Sequence, residues 1–340
     1  MSFPFCPLLT GLAVGYYMKK DVFGKQGDFV TSPEISQMFG ELLAVWIVHE
    51  CPAWFSYPFQ LVELGPGREH WLMIFEDLSL HLVEISPKMS ELQADKLTSG
   101  ATVSDEDMNV NGQPHQQIKD PLTEVLAVNW CAVHWLLLFI AHEFLDALPI
   151  HKFQRTPSGW REVLVNIDES DGPDELCFML SAAATLPLLP SVLIREDEKR
   201  DHLEVSPQSG VVVQELADRI STDGGMSLVV DYGHSGEKED THSKIINYTM
   251  FLKEPGTADV TADVDFSHLQ KTAGNLDCGN HSSMKDVRFM LLRQADHKQQ
   301  TDLVSGFRML VDPSQMGERF KMWAMFPHRK DNYRPAGFPP

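Results

Sequence analysis

Little in this chain is basic: 28 lysines and arginines stand against 48 aspartates and glutamates, a formal net charge of -20 over 340 residues. Such a surface repels polyphosphates, which argues against nucleic acid as a partner and leaves solubility or the attraction of a cationic ligand as its uses. Cysteine is scarce and unpatterned. The five cysteines, Cys6, Cys51, Cys131, Cys177 and Cys278, are never spaced C-x-x-C, so neither a disulfide frame nor a zinc site is expected. No second histidine follows His142 at the H-E-x-x-H spacing, and Asp259, Asp263 and Asp265 lack the glycine and terminal glutamate of a calcium loop. The expectation for metals is therefore none. No apolar run reaches bilayer length, since the longest, Leu126 to Ala141, holds Asn129 and His134 and reads as a doubly buried strand behind a connecting segment. Met1 to Val14 has no basic residues before its apolar stretch and none of the arginines of a transit peptide. Internal repeats are absent.

What is present begins with an apolar strand, Phe59 to Leu64, that carries Glu63 and runs into Gly65-Pro66-Gly67. Glycines at the carboxyl end of a buried strand bring bare backbone up to a ligand, as doubly wound folds do for nucleotides. The third glycine of a dinucleotide fingerprint is missing, because Arg68, Glu69 and His70 follow. S-adenosylmethionine is thus the stronger reading and a dinucleotide the weaker. The next strand spans His81 to Ile85, and Glu84 lies 19 positions after Gly65, where an acidic residue reaches ribose hydroxyls.

Thr31 and Glu34 fit a capping box for a helix whose apolar residues Ile35, Met38, Phe39, Leu42, Leu43 and Trp46 are helically spaced and which should end near Val48. Trp71, Ile74, Phe75 and Leu78 suggest a short crossover helix. Ser99 to Pro121 is polar and reads as a loop. Leu136 to Ala141 forms another buried strand, Lys152 to Asp168 a hairpin turning near Gly159, Val211 to Ile220 a helix, Met226 to Val230 a strand ending at Asp231-Tyr232, and Lys321 to Phe326 a final strand. Asp265 or Ser267 should cap the helix after Gly256 to Phe266.

Several blocks together resemble one family: Gly15-Tyr16-Tyr17, the run Gly27 to Ser36 with Phe39-Gly40-Glu41, Glu63 to Arg68, Ala141 to Pro149, Asp231-Tyr232-Gly233, Ala258 to Phe266 and Met316 to Phe320. In that order they are similar to the MidA-type methyltransferases, whose mitochondrial members are protein arginine methyltransferases that help assemble respiratory complex I. The resemblance implies an α/β, Rossmann-like S-adenosylmethionine-dependent methyltransferase with extra helical and β insertions. It also implies a location in the mitochondrial matrix and a complex I subunit as protein substrate, with no nucleic acid and no membrane span; a homodimer stays open.

The implied organisation is a helical and loop segment over 1–50, a methyltransferase domain over 51–327 with a substrate-side insertion at about 150–210, and a flexible tail over 328–340. The family's cofactor motifs fall on Glu63, Gly65, Gly67 and Glu84, and the loop block falls on Asp28, Thr31 and Ser32. Departures from the family pattern are Glu69 in place of a glycine, a shortened segment before the second strand and a replaced stretch at His242 to Asn247. They keep a second reading in view, a weakened or inactive assembly chaperone that retains the fold.

A guanidinium acceptor needs carboxylates that orient its nitrogens through paired hydrogen bonds. Glu143, at the end of the Leu136 strand, is the leading candidate, with Asp146 three positions on; helix capping is the plain alternative for Glu143. Asp263 and Asp265 read as loop solvation or capping, or as an acidic collar for a basic substrate. Asp231 and Tyr232 read equally as cleft lining or turn formers.

Overall fold

A computed structural model describes residues 3–4, 37–54, 59–67, 79–84, 86–97, 136–168, 175–183, 185, 198–241, 252, 261–274, 276–281 and 317–328, with 308, 312, 314, 335, 336 and 338. The main sheet contains β2 (Phe59–Leu64), β3 (Ser79–Val83), β4 (Leu136–His142), β9 (Gly225–His234), β11 (Asp277–His281) and β12 (Phe320–Phe326). Their spatial order is β11-β12-β9-β4-β2-β3, and the two-residue β10 (Val264–Asp265) adds to β9. Strands β3, β2, β4 and β9 run parallel, while β12 enters antiparallel between β9 and β11.

Residues pointing to alternate faces explain how helices cover this sheet. Val62, Leu64, Phe139, Ala141 and Val229 lie on one face and pack against Val212, Val213, Leu216 and Ile220 of α3 (Pro207–Asp223) and Phe266 and Leu269 of α4 (Phe266–Thr272). Each Val, Leu, Ile or Phe side chain among them contributes about 1.5–3 kcal/mol by leaving water. Ser206 caps α3 with its side chain, accepting from the Ser209 N–H, and Pro207 sits where a missing N–H costs nothing. Glu63, Ile140 and His142 belong to the opposite face, toward α1 (Gln37–Trp54), whose Phe39 ring stands 4.8 Å from the His142 ring.

A second sheet holds β1 (Phe3–Pro4), β5 (His151–Thr156), β6 (Gly159–Asp168), β7 (Glu175–Leu180) and β8 (His202–Val205), ordered β1-β6-β5-β8 with β7 on β6. The hairpin expected there is β5–β6. It turns through Pro157-Ser158, with Thr156 paired to Gly159.

Four expectations need correction. Helix α1 extends to Trp54 rather than ending near Val48, because buried Glu50 accepts from the Ala336 N–H at 2.9 Å and anchors the last turns. Strand β3 covers Ser79–Val83, shifted two residues toward the amino end of the expected strand, since its register is set by pairing with β2. Helix α2 (Pro87–Leu97) follows it, where no helix was read. The described part of the tail is held in place: the Trp46 Nε1–H donates to Ala336 O at 2.9 Å, and Phe338 is buried against the Trp46 ring. The Thr31 cap, the 71–78 helix and the Ser99 to Pro121 loop lie outside the described residues.

Candidate active site

Parallel pairing lines up the strand ends. Leu64 pairs with Val83 on one side and Ala141 on the other, and Ala141 pairs with Val229. Whatever follows this row in each strand therefore emerges at one edge: Glu84, the Gly65-Pro66-Gly67 bend, His142-Glu143 and Asp231.

The bend is left-handed twice, with φ of 59° at Gly65 and 60° at Gly67, a region in which L side chains are strained. Gly65 donates to Val83 O at 2.9 Å. A Cβ on Gly65 would stand 2.6 Å from Cδ2 of Phe144, so that ring roofs the first glycine. A Cβ on Gly67 would meet nothing within 4 Å, so the second glycine faces open space. Two carboxylates lie at the ends of the adjoining strands. Glu63 is 2% exposed at the end of β2. Glu84 accepts from the Ser86 N–H at 2.8 Å through Oε1 and from Gln93 Nε2 at 3.1 Å through Oε2. Ionised carboxylates only accept hydrogen bonds, so among the described residues this strand edge suits a ligand carrying hydroxyls and positive charge, as S-adenosylmethionine does.

Glu143 carries the second half of the site. Its φ is 47°, the one left-handed non-glycine residue among those described, and its N–H donates to Val230 O at 2.9 Å. The cause of that conformation is Asp231, fully buried on β9. Its Oδ2 accepts from the N–H groups of Phe144, Leu145 and Asp146 at 3.2, 2.9 and 3.3 Å, and Oδ1 accepts from its own neighbour Tyr232 at 2.8 Å. Three consecutive N–H groups converging on one oxygen force a tight nest, and the residue before the nest takes the strain. Asp146 is tied from the other side, its carbonyl accepting from the Ala262 N–H at 3.1 Å.

Burial and the adjacent Glu143 push the Asp231 carboxyl up from 3.8 to about 7, against the pull of its hydrogen bonds. A carboxyl raised in the fold destabilises the fold once it must ionise. Stability attributable to Asp231 is greatest below about pH 4 and declines as pH rises through 7. Chemical denaturation of the parent and Asp231→Asn at several pH values should show the parent losing ground to the variant across that window. A constant difference would refute the assignment.

Around these groups lies an aromatic rim. Phe320 stands 5.1 Å from the Tyr232 ring and 6.0 Å from the His142 ring, while His142 Nε2 is 3.4 Å from Glu143 Oε1. The Arg319 guanidinium lies 5.5 Å over Tyr232 and pairs with Asp263, which also holds Lys238 at 3.1 Å. Burial opposes ionisation of Asp263, but these two cations outweigh it and hold its pKa below the usual range. Asp265 caps α4, accepting from the Ser267 and His268 N–H groups.

Of the residues named from the sequence, Glu63, Gly65, Gly67, Glu84, Glu143 and Asp146 gather at this edge, while Asp28, Thr31 and Ser32 lie outside the described residues. Asp259 lies outside them too. The sequence leaves Asp231 equally a cleft-lining residue or a turn former, and it gives no site role to Gln93, Phe144 or Arg319. The signal for Asp231 was its place after a buried strand parallel to the one ending at Glu143; Gln93 had only the Ser86-Pro87 helix start upstream.

Comparison with known proteins gives a consistent set. A family of putative S-adenosyl-L-methionine-dependent methyltransferases matches residues 42–282. The protein arginine methyltransferase NDUFAF7, mitochondrial, of Bos taurus is 42% identical over 355 aligned positions, covering 95% of this chain and 79% of its own. The proteins of the same name from Danio rerio and Homo sapiens are 43% and 41% identical, over 93% and 95% of this chain and 81% and 79% of theirs. A crystal structure of a Burkholderia thailandensis protein bound to S-adenosyl-homocysteine has a TM-score of 0.70 at 20% identity, covering 96% of this chain and 88% of that one, which shows a shared fold. Among the described residues there is no group of metal-ligating side chains and no helix long and apolar enough to cross a membrane.

Proposed function

The chain belongs to the family of putative S-adenosyl-L-methionine-dependent methyltransferases, and from that premise we propose that it methylates an arginine of a protein in the mitochondrial matrix. The acceptor in this reading is a subunit of respiratory complex I, and methylation promotes assembly of that complex. The observation that carries it is the single edge at which the glycine bend, Glu63, Glu84, Glu143 and Asp231 emerge together.

Bound there, S-adenosylmethionine supplies a methyl group made electrophilic by its sulfonium. The chain's own work is orientation and exclusion of water, since the displacement is in line. Glu63 and Glu84 would accept from hydroxyls and the cationic amine of the ligand, Gly65 and Gly67 would let backbone approach it, and Asp28, Thr31 and Ser32 would join the cofactor-binding set by family resemblance. Glu143 and Asp146 would accept from the N–H groups of an incoming guanidinium and aim one nitrogen at the methyl carbon as its bond to sulfur breaks and S-adenosyl-homocysteine leaves, and Glu143 would receive the proton that this nitrogen gives up. The nest under Asp231 keeps Glu143 in place. An acidic cleft favours a cation over neutral side chains, and the chain's net charge of -20 draws basic protein segments toward it. In the same reading residues 1–50 are a helical and loop segment carrying the Gly27 to Ser36 block, 51–327 form the catalytic domain with an insertion at about 150–210 on the substrate side, and 328–340 lie outside it.

Calorimetric titration with S-adenosylmethionine tests the pocket, and mass spectrometry of a complex I subunit fraction incubated with chain and cofactor tests the transfer. Gly67→Ala sharpens the first. Its Cβ meets no protein atom, so folding should lose only the roughly 1–2 kcal/mol of a left-handed L residue, while cofactor affinity falls at least tenfold because the methyl occupies ligand space. Equal affinity in parent and variant would move the cofactor elsewhere. No binding by the parent, with capture of the subunit retained, would leave the non-catalytic chaperone as the function. Light scattering on the same sample distinguishes monomer from homodimer.

A further inference from the structure

Gln93 is a buried amide where the pattern of its helix calls for an apolar residue. Ser86, Met89 and Gln93 follow one face of α2, all nearly inaccessible, with Gln93 3% exposed. Helical side chains lean toward the amino terminus, so two turns into α2 this one reaches back to the strand end it came from. Its Nε2 donates to Gly67 O at 2.7 Å and to Glu84 Oε2 at 3.1 Å. Glu84 Oε1 is meanwhile held by the Ser86 N–H at 2.8 Å, and Ser86 Oγ accepts from Met89 N at 3.2 Å. Two protons on one nitrogen thus join the second glycine of the bend to a carboxylate of the neighbouring strand.

We propose that Gln93 is a positioning residue of the cofactor pocket, a strut that fixes the Gly67 peptide and the Glu84 carboxylate relative to each other; this rests on reading that pocket as the S-adenosylmethionine site. The chemistry demands an amide. Both partners are acceptors, and a neutral amide supplies two N–H donors to them without placing a charge at a buried position. A carboxylate there repels both, and an apolar side chain leaves a buried carbonyl and carboxylate oxygen to find water. Without the strut the second glycine and Glu84 move independently, and the ligand must spend part of its binding on fixing them.

The test is calorimetric binding of S-adenosyl-homocysteine to the parent, Gln93→Met, Glu84→Gln and the double variant, with kcat and both KM values for methyl transfer. Met keeps the length and the helix. Gln93→Met should weaken S-adenosyl-homocysteine roughly tenfold, the size of one or two lost net hydrogen bonds. The double variant should be no worse than the weaker-binding single, because Glu84→Gln removes both a ligand contact and the carboxylate through which Gln93 acts. The KM for cofactor should rise and that for the protein acceptor stay. Gln93→Glu should bind more weakly than Gln93→Met, a ranking that mere packing would not produce. Parent-like affinity in Gln93→Met or Gln93→Glu, or losses that multiply in the double variant, overturn the strut. A parent that binds no S-adenosyl-homocysteine at all overturns the methyltransferase reading underneath it.

Discussion

Glu143→Gln should leave the fold and the cofactor affinity as they are and slow methyl transfer by about 10²–10³-fold, the usual cost of removing one correctly placed charge from a reacting centre. The amide fits the same volume and can follow the same backbone, whose φ of 47° is imposed by the nest on Asp231 rather than chosen by the side chain. What changes is hydrogen-bond polarity. A carboxylate offers two acceptor oxygens to a guanidinium fork, whereas the amide offers one acceptor and an NH₂ that faces another donor. It also no longer takes a proton. Single-turnover transfer to the protein acceptor, followed by mass spectrometry and set beside calorimetry with S-adenosylmethionine, separates the two effects. Unchanged transfer would remove Glu143 from the chemistry and return it to the role of a strand-end turn residue. Loss of cofactor binding along with transfer would instead place Glu143 among the pocket's supports.

The second large effect falls on stability and affinity together. Gly65→Val combines three penalties at one atom: a β-branched residue at φ 59°, a Cβ that would stand 2.6 Å from Phe144 Cδ2, and a ring that cannot retreat freely because the Phe144 N–H is tied to Asp231. Left-handed strain costs about 1–2 kcal/mol and overpacking another 1–3. A destabilisation of about 2–5 kcal/mol is expected in chemical denaturation, with cofactor affinity down by more than a hundredfold as the bend shifts. The contrast with Gly67→Ala is the informative part, since that change should cost the fold only the roughly 1–2 kcal/mol of left-handed strain while harming the ligand. If Gly65→Val melted like the parent, Phe144 would not be the roof of the bend, and the link from β2 through the β4 loop to β9 would be broken.

The parts of this site legible in the sequence share one property: each is announced by its own neighbours along the chain. Phe59–Leu64 is an apolar run ending in glycines, and Leu136–His142 an apolar run ending in Glu143, so strand type, burial and the carboxyl-end location follow from local pattern. Asp265 as a helix cap is local too. What was missed depends on contacts between distant segments. Asp231 lies more than 80 residues from the N–H groups it gathers, and nothing near it says that another strand will end level with it and leave three donors exposed. Arg319 reaches Asp263 across 56 residues, and Glu50 reaches Ala336 across 286. Helix α2 was missed for another reason: with few apolar residues and a polar one at an inward position, its pattern is weak.

By itself the sequence determined that buried strands end in glycine or acid, that the chain carries an excess of negative charge, and, through family blocks, the class of cofactor. These are consequences of composition and short-range periodicity, which a linear chain displays in full. Only the tertiary structure decided which carboxylate bears on which backbone. Registers between parallel strands brought Gly65, Glu84, Glu143 and Asp231 to one edge, and a buried carboxylate forced Glu143 into its unusual conformation. A buried amide on an unforeseen helix joined Gly67 to Glu84. The physical reason is that a desolvated polar group must find a partner wherever the packed chain offers one, and that choice is made in space, not along the sequence.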